Sequence, residues 1–496
     1  MQIVSKSLLH LVLKSFILSL ISTHNRLQIK KNQMTVDTVI KGSHVVLPQG
    51  IVDKNIVIDD GKIVGFTHDL PASDHKIDGT GLISIPGPID THVHYGVYSP
   101  IDQAAKTESH AAAIGGITTM MRMLRLGNSF KSSLQNQLNA SSRNHYIDYA
   151  IHASIFSRQQ ISEMQYCIDK GITSFKIYMN LGGDVGHVYM DMPPYTSELE
   201  PAEVDVNDLI VEETVKNAAS LGCPVLVHAE DSESCACGIK TAKEKNRNGL
   251  SAWSESRSPE FEAKAIKTVC KYGREYGCTI YFVHIGSERA LNQINEEREL
   301  GTTIFVETCP HYLTLSHEKQ QGYLAKVMPP IRTQRDNQAI WNALSKNKID
   351  TIGTDHVANK LKLKLGGEDV WDALAGFPGI GTVVPILLSE GVNKGRISLE
   401  QFVRFTSLNA AKIFGLYPKK GILEKHSDAD ITMVDLKKEN KVSSDLFGGF
   451  SDYIVYEGMK MKGWPVKTIV RGLLVSENFE VVGKLGHGKL VERQVT

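Results

Sequence analysis

SIPGPIDTHVH, residues 84–94, is where this chain changes character. Upstream, from Met34 to Ser84, the sequence runs as short strands broken by turn residues. In NIVIDDGKIVGF (55–66) the pair Asp60-Gly61 sits between two apolar-rich runs, as the corner of a hairpin does. Downstream, over residues 85–420, apolar runs of strand length alternate with longer stretches of helical period, the signature of repeated βα units. One helix is expected to start at Ser258-Pro259, an N-cap followed by proline at the first helical position, with Ala263, Ile266, Val269 and Cys270 on one face. From 421 to 480 short strands return, in DADITMVDL (428–436) and VKTIVRGLLVS (466–476), and 481–496 reads as a tail. Strands at both ends and a βα array between them predict an α/β protein in which the termini meet in one β module beside a barrel. A doubly wound open sheet satisfies the same alternation.

With 496 residues, 42% hydrophobic and 22% charged, the chain has a globular composition. Lys+Arg number 55 and Asp+Glu 55, so no basic excess directs it to nucleic acid or an anionic membrane, and a small, near-neutral partner is expected. Seven cysteines without a CxxC pair indicate a reducing compartment, read here as cytoplasmic. Residues 1–33 carry Lys6, Lys14, Arg26, Lys30 and Lys31, no acid, and an apolar run too short and too charged to span a membrane. They are read as a disordered or start-site extension upstream of Met34, outside the fold. GFPGIGT (376–382) is glycine-rich but is neither a P-loop nor GxGxxG.

Six side chains able to hold a metal fall at or just after the ends of strand-like runs. SIPGPIDTHVH contains His92 and ends at His94, TSFK ends at Lys176, PVLVH at His228, TIYFVH at His284 and DTIGTD at Asp355. In a (β/α)8 barrel the carboxyl ends of the strands converge on one face, so residues far apart in sequence meet there. His92 and His94, two apart on an extended segment, point to the same side and can grip one ion. Alone, a histidine ending a strand reads more readily as a hydrogen-bonded core residue, and Lys176 as half of a buried ion pair. Together they specify a site. Imidazole nitrogen and carboxylate oxygen suit zinc, with manganese, iron or cobalt as substitutes. A neutral Lys176 can react with carbon dioxide to give a carbamate, an anionic ligand able to bridge two metals. With two adjacent metals, a bridging hydroxide becomes available near neutral pH and one ion polarises a carbonyl. Asp355 then takes the proton and delivers it to a departing amide nitrogen.

At these residues the sequence resembles the cyclic amidohydrolases of the amidohydrolase superfamily: hydantoinases, dihydropyrimidinases, allantoinases and dihydroorotases. PGPIDTHVH resembles the family's first metal motif, GITSFKIYM its carbamylated-lysine strand, VLVHAED and YFVHIGS its two histidine strands, and GTDH its catalytic aspartate. The likeness runs from about residue 35 to 490. It implies two zinc ions per subunit held by His92, His94, Lys176, His228, His284 and Asp355, with Lys176 as N6-carboxylysine. It also implies a TIM-like barrel over 85–420, a small β-sandwich domain from 34–84 plus 421–480, and usually a homotetramer. The substrate implied is a small cyclic amide or imide, opened at a C–N bond.

Within the family, YEGMKMKGWPV (456–466) and VGKLGHGKLVER (482–493) are similar to the hydantoinase and dihydropyrimidinase tail, while GGITTMM, ETCPHYL and PPIR are allantoinase-like. The hydantoin or dihydropyrimidine ring is therefore the expected substrate, with allantoinase and then dihydroorotase as alternatives. Tyr95 and Gly96 follow His94 where dihydroorotases usually carry an arginine two residues on. Leu181 stands where the family's ring-binding tyrosine is expected, and Ala375 where an asparagine is. Tyr178, Tyr189 and Tyr195 are candidates to replace the tyrosine, and Thr308 lies where the family binds substrate through a hydroxyl and backbone. A non-catalytic scaffold of the same fold is disfavoured because all six ligands are present. Phosphotriesterase-like and deaminase chemistries are disfavoured by the tail motifs.

Overall fold

The stretch at 84–94 folds into two consecutive strands that belong to different sheets: Ile83–Pro86 joins the β domain and Ile89–His94 begins the barrel. The structure, a computed structural model, describes residues 35–182, 187–319 and 322–495. The extension read at 1–33 lies outside the described residues.

Ile83–Pro86 sits between Val36–Leu47, with which it pairs in parallel, and Ile431–Lys441, with which it pairs antiparallel. It thereby welds the N-terminal strands to the C-terminal ones in one nine-stranded sheet. Ile40, Val45, Ile56 and Ile63 from one end of the chain share a buried cluster with Ile431, Met433, Val466 and Ile469 from the other. The hairpin of Gly50–Asp59 and Lys62–Thr67 turns where the sequence places it, with Asp60 at φ 48° and Gly61 at φ 71°, both in the left-handed region that a two-residue turn requires.

The barrel strands are Ile89–His94 (strand 1), Thr119–Leu124 (2), Asp148–Ser154 (3), Phe175–Tyr178 (4), Val225–His228 (5), Ile280–Phe282 (6) and Ile304–Thr308 (7). Strand 8 is split into Thr351–Ile352 and His356–Val357. Neighbours pair in parallel throughout, and helices cover the outside, so the strands are buried on both faces. The first half of strand 8 pairs with strand 7 and the second half with strand 1, which closes the ring and excludes the open doubly wound sheet. Asp90 pins the closure, accepting from the Thr354 N–H at 3.0 Å, the Thr354 hydroxyl at 2.6 Å and the His92 N–H at 3.1 Å. Among the outer helices, Pro259–Tyr276 starts at an N-cap on Ser258 and buries Ala263, Ile266, Val269 and Cys270, as its sequence predicts.

The end of the barrel away from the strand C-termini is tied to the β domain by buried charge. Lys420 donates to Asp148 at 2.7 Å and to Asp430, and lies 3.4 Å from Asp428. Arg471 also pairs with Asp148, and Lys62 with Asp428 at 3.2 Å. Three carboxylates converge here, and three cations answer them, so the cluster is an ion-pair joint. The tail reinforces the same end: Leu490 forms a parallel bridge with Tyr149, and buried Arg493 donates to the Ser174 hydroxyl at 2.8 Å and to the Ile151 carbonyl. Removing the central cation leaves buried carboxylates without a partner, and Lys420→Met is expected to destabilise the protein by about 3–5 kcal/mol. A fall of the denaturant midpoint at unchanged m-value is the check. A midpoint shift below about 1 kcal/mol equivalent would show that the joint is not held by charge.

Candidate metal centre

Each of the six residues singled out by the sequence sits at the mouth formed by the strand C-termini. His92 and His94 lie on strand 1, Lys176 on strand 4, and His228 is the last residue of strand 5. His284 follows strand 6 by two residues, and Asp355 occupies the break in strand 8. His284 and Asp355 take φ values of 45° and 50°, left-handed backbone that non-glycine residues adopt at a cost of about 1–3 kcal/mol each and that clusters at functional sites.

His92 Nε2 lies 3.2 Å from His94 Nε2 and 3.3 Å from Asp355 Oδ1, and His94 Nε2 is 3.2 Å from the same oxygen. One ligand atom from each of the three can be drawn within 4.8 Å of the others. The His284 ring stacks 5.3 Å from that of His92 and meets His228 edge-on at 4.6 Å. All six side chains are buried. The Nδ1 atoms of His94 and His284 and the Lys176 Nζ are buried without a hydrogen-bond partner, so the site holds polar atoms that the protein itself leaves unsatisfied.

Burial holds all four imidazoles below their ordinary range, so their nitrogens keep the lone pairs a metal needs. At His94 the next contribution is the Arg125 guanidinium. Burial also brings Lys176 down to about 7, against the pull of Asp355 and Glu307. The donor set of nitrogen and carboxylate oxygen fits a divalent transition metal.

A second ring of residues, which the sequence reading missed, orients the first. Glu307 Oε1 accepts from His92 Nδ1 at 2.8 Å and from the His284 N–H at 3.2 Å, while its other oxygen accepts from Thr91 at 2.5 Å and Tyr281 at 2.9 Å. His92 is thereby held with its proton on Nδ1 and its Nε2 lone pair facing His94 and Asp355. His228 Nε2 bonds Glu230 at 2.6 Å, which leaves Nδ1 as its free donor, and Arg257 grips the same carboxylate through two nitrogens. Burial pushes Glu230 up, yet Arg257 and His228 outweigh it and hold the carboxyl at about 2. A carboxylate two residues past VLVH was the one signal in the sequence for this pair.

At the six residues opens a cavity of about 320 Å³, with the polar side chains Tyr98, Arg125, Asn180 and Tyr189 and the apolar Trp253 and Met328 among its lining. Leu181 and Ala375, the two departures noted in the sequence, both face it. Tyr178 and Tyr189 line it as well, whereas Tyr195 is 80% exposed and lies away from it. Thr308 does not line it; its hydroxyl donates to the Ile285 carbonyl at 2.7 Å.

Residues 83–475 match the Amidohydrolase family. The chain is 33% identical over 473 residues to a D-hydantoinase of Geobacillus stearothermophilus, covering 92% of this chain and 96% of the relative. It is 30% identical to an L-hydantoinase of Paenarthrobacter aurescens, covering 92% and 98%. The crystal structure of dihydropyrimidinase from Brevibacillus agri NCHU1002 superposes with a TM-score of 0.83 at 30% identity, covering 92% of this chain and 99% of that one.

Because Glu307 orients His92 without being placed to ligate, Glu307→Gln is expected to weaken divalent-metal retention by roughly 10–100-fold while the barrel stays folded. Competition with a chromophoric chelator measures this, and retention equal to wild type would remove Glu307 from that role.

Proposed function

The chain belongs to the amidohydrolase family, and from that premise we propose that it is a metal-dependent hydrolase opening a C–N bond of a cyclic amide, of the hydantoin or dihydropyrimidine kind. The observation that carries this reading is the convergence of His92, His94, Lys176, His228, His284 and Asp355 beneath a cavity large enough for one small ring. These six would hold two zinc ions, with manganese, iron or cobalt as substitutes. Bound there, the ions supply a water activated near neutral pH and a Lewis acid for the amide carbonyl.

The chain's own groups account for the rest. Burial lowers the Lys176 amine to about 7, which makes its neutral, nucleophilic form accessible near neutral pH. Its nitrogen attacks carbon dioxide, an N–C bond forms as one C=O π bond opens onto oxygen, the nitrogen's proton passes to water, and Lys176 becomes an anionic carbamate that suits a site built from neutral imidazoles. Asp355, beside His92 and His94, accepts the proton of the attacking water and delivers it to the ring nitrogen as the C–N bond breaks. Asn180 lines the cavity with a buried Oδ1 that has no partner, an acceptor for a ring N–H, and Tyr178, which also lines it, would take the role of the tyrosine expected at Leu181. The apolar wall of Trp253, Met328 and Leu374 keeps water from the ring face.

The family likeness supports a homotetramer, and seven free thiols, six of them buried, support a reducing cytoplasmic setting. Among the described residues no helix is long and apolar enough to cross a membrane.

On zinc-loaded protein, a panel of hydantoin, dihydrouracil, allantoin and dihydroorotate tests the reaction class. Ring opening that a chelator abolishes and zinc restores is the expected result, and failure on every ring would overturn it. Lys176→Ala should lose metal and at least about 100-fold in activity, with partial rescue by short carboxylic acids that replace the carbamate oxygens. Full activity in that variant would end the carbamate assignment. Asp355→Asn should keep the fold and lose at least about 100-fold in kcat, and normal turnover would remove Asp355 from proton transfer.

A further inference from the structure

Lys364, in the short helix Leu361–Leu365, is fully buried, and the charged group that acts on it is another lysine, Lys326. Its Nζ donates to three backbone carbonyls: Leu374 at 2.6 Å, Gly376 at 2.7 Å and Lys326 at 2.8 Å. Burial and the Lys326 charge push the amine down from its ordinary range. The carbonyls oppose that push, because each can only accept. An ammonium has three N–H bonds and makes all of them here, whereas a neutral amine would turn its lone pair onto an oxygen. The cage is built for the protonated form.

The three carbonyls belong to coil, so no helix or strand ladder fixes their direction. Leu374, Ala375 and Gly376 line the cavity, and so does Met328, two residues after Lys326. Further bonds knit these segments together around the ammonium. The Lys326 carbonyl also accepts from the Gly376 N–H at 3.0 Å, and the Lys364 carbonyl from the Leu374 N–H at 2.8 Å. Lys326 sends its own Nζ to the Ala373 carbonyl at 2.5 Å and sits 4.3 Å from the centre of the Trp253 ring. Trp253, another lining residue, donates from Nε1 to the Val327 carbonyl at 2.9 Å. A Cβ at Gly376 would stand 2.5 Å from Val357 Cγ2, so the segment presses directly on the second half of strand 8. Carbonyl oxygens gathered round one positive charge are what replaces the water shell of a bound potassium ion. Here the charge is tethered to the chain.

We propose that Lys364 is a positioning residue for substrate recognition: its ammonium acts as a tethered monovalent cation that draws the Lys326, Leu374 and Gly376 carbonyls together and fixes the part of the cavity lining that discriminates between rings. This rests on the cyclic-amide reading and adds to it the residue that shapes the substrate pocket. Lys364 is not itself among the lining residues, so it acts through Leu374, Ala375 and Met328. Its loss falls on KM and on ring preference, and leaves the metal residues in place.

The experiment uses full-length, zinc-loaded protein with hydantoin and dihydrouracil as probes. Lys364→Met keeps the apolar stem and removes the charge. KM for the preferred ring should rise by about 10–30-fold with kcat changed by less than about threefold, and the preference between the two rings should shrink by at least about threefold, at wild-type zinc content. Lys364→Ala removes the atoms of n-propylammonium. That ion should restore most of the lost KM, and 1-propanol, which has the same shape without the charge, should not. Should Lys364→Met not fold, Lys364→Ala purified in n-propylammonium gives the same comparison as the ion is diluted out. Unchanged KM and ring preference in the folded variants, or a joint loss of kcat and zinc that n-propylammonium does not reverse, overturns the Lys364 assignment, while ring opening by the wild type keeps the hydrolase reading. If the wild type binds a ring by calorimetry without opening it, the hydrolase reading falls, and the positioning role stands only if Lys364→Met weakens that binding by about tenfold or more. Absence of both turnover and binding in the wild type overturns both.

Discussion

A carboxylate buried at the centre of the barrel governs the rest of the site. Glu307 on strand 7 accepts hydrogen bonds from Thr91 and His92 on strand 1, from Tyr281 on strand 6 and from the backbone beside it at His284. Burial raises its pKa to about 7, and the bonds from Thr91 and Tyr281 work against that rise. Such a group is tolerable in an apolar interior only if every lone pair is met, and the residues that meet them are those that carry or adjoin the ligands. Satisfying Glu307 and aiming His92 are one structural requirement.

The same crowding explains why strand 8 breaks. A Cβ at Gly353 would stand 2.6 Å from the Glu307 carboxylate and 2.9 Å from the His92 Cβ, so only glycine lets the chain pass. Directly after it Thr354 bonds Asp90 across the closure, and Asp355 is forced into left-handed backbone, which turns its carboxylate toward His92 and His94. Barrel closure and the last candidate ligand are therefore set by three consecutive residues of GTDH. The strain there is held in place by the pairing of His356 and Val357 with strand 1.

The candidate metal residues and the cavity wall are built by different means. The candidate ligands come from strand ends, whose positions the barrel dictates. The cavity above them is shaped by segments outside the barrel strands: the hairpin of His187–Met190 and Glu200–Glu203, the segment around Met328, and Leu374-Ala375-Gly376. Ala375 lies in the last of these segments and Leu181 in the turn directly after strand 4, and the hairpin's contact through Asp191 holds the Arg125 backbone at the cavity edge.

By itself the sequence determined the barrel alternation, the Asp60-Gly61 turn, the Ser258-Pro259 helix start and the six residues at strand ends. Each of these is written in local chemistry: period, capping, turn preference, or a motif at a strand terminus. Ring closure was not legible, because it depends on two dipeptides of a split strand finding partners more than 40 and more than 250 residues away. Nor were Glu307 or Glu230 with Arg257, since an acid or arginine in an apolar run reads the same whether it ends paired or orienting a candidate ligand. Only the tertiary structure decides that, because burial and the identity of the facing group set the energy of a charge, and both are properties of the folded chain.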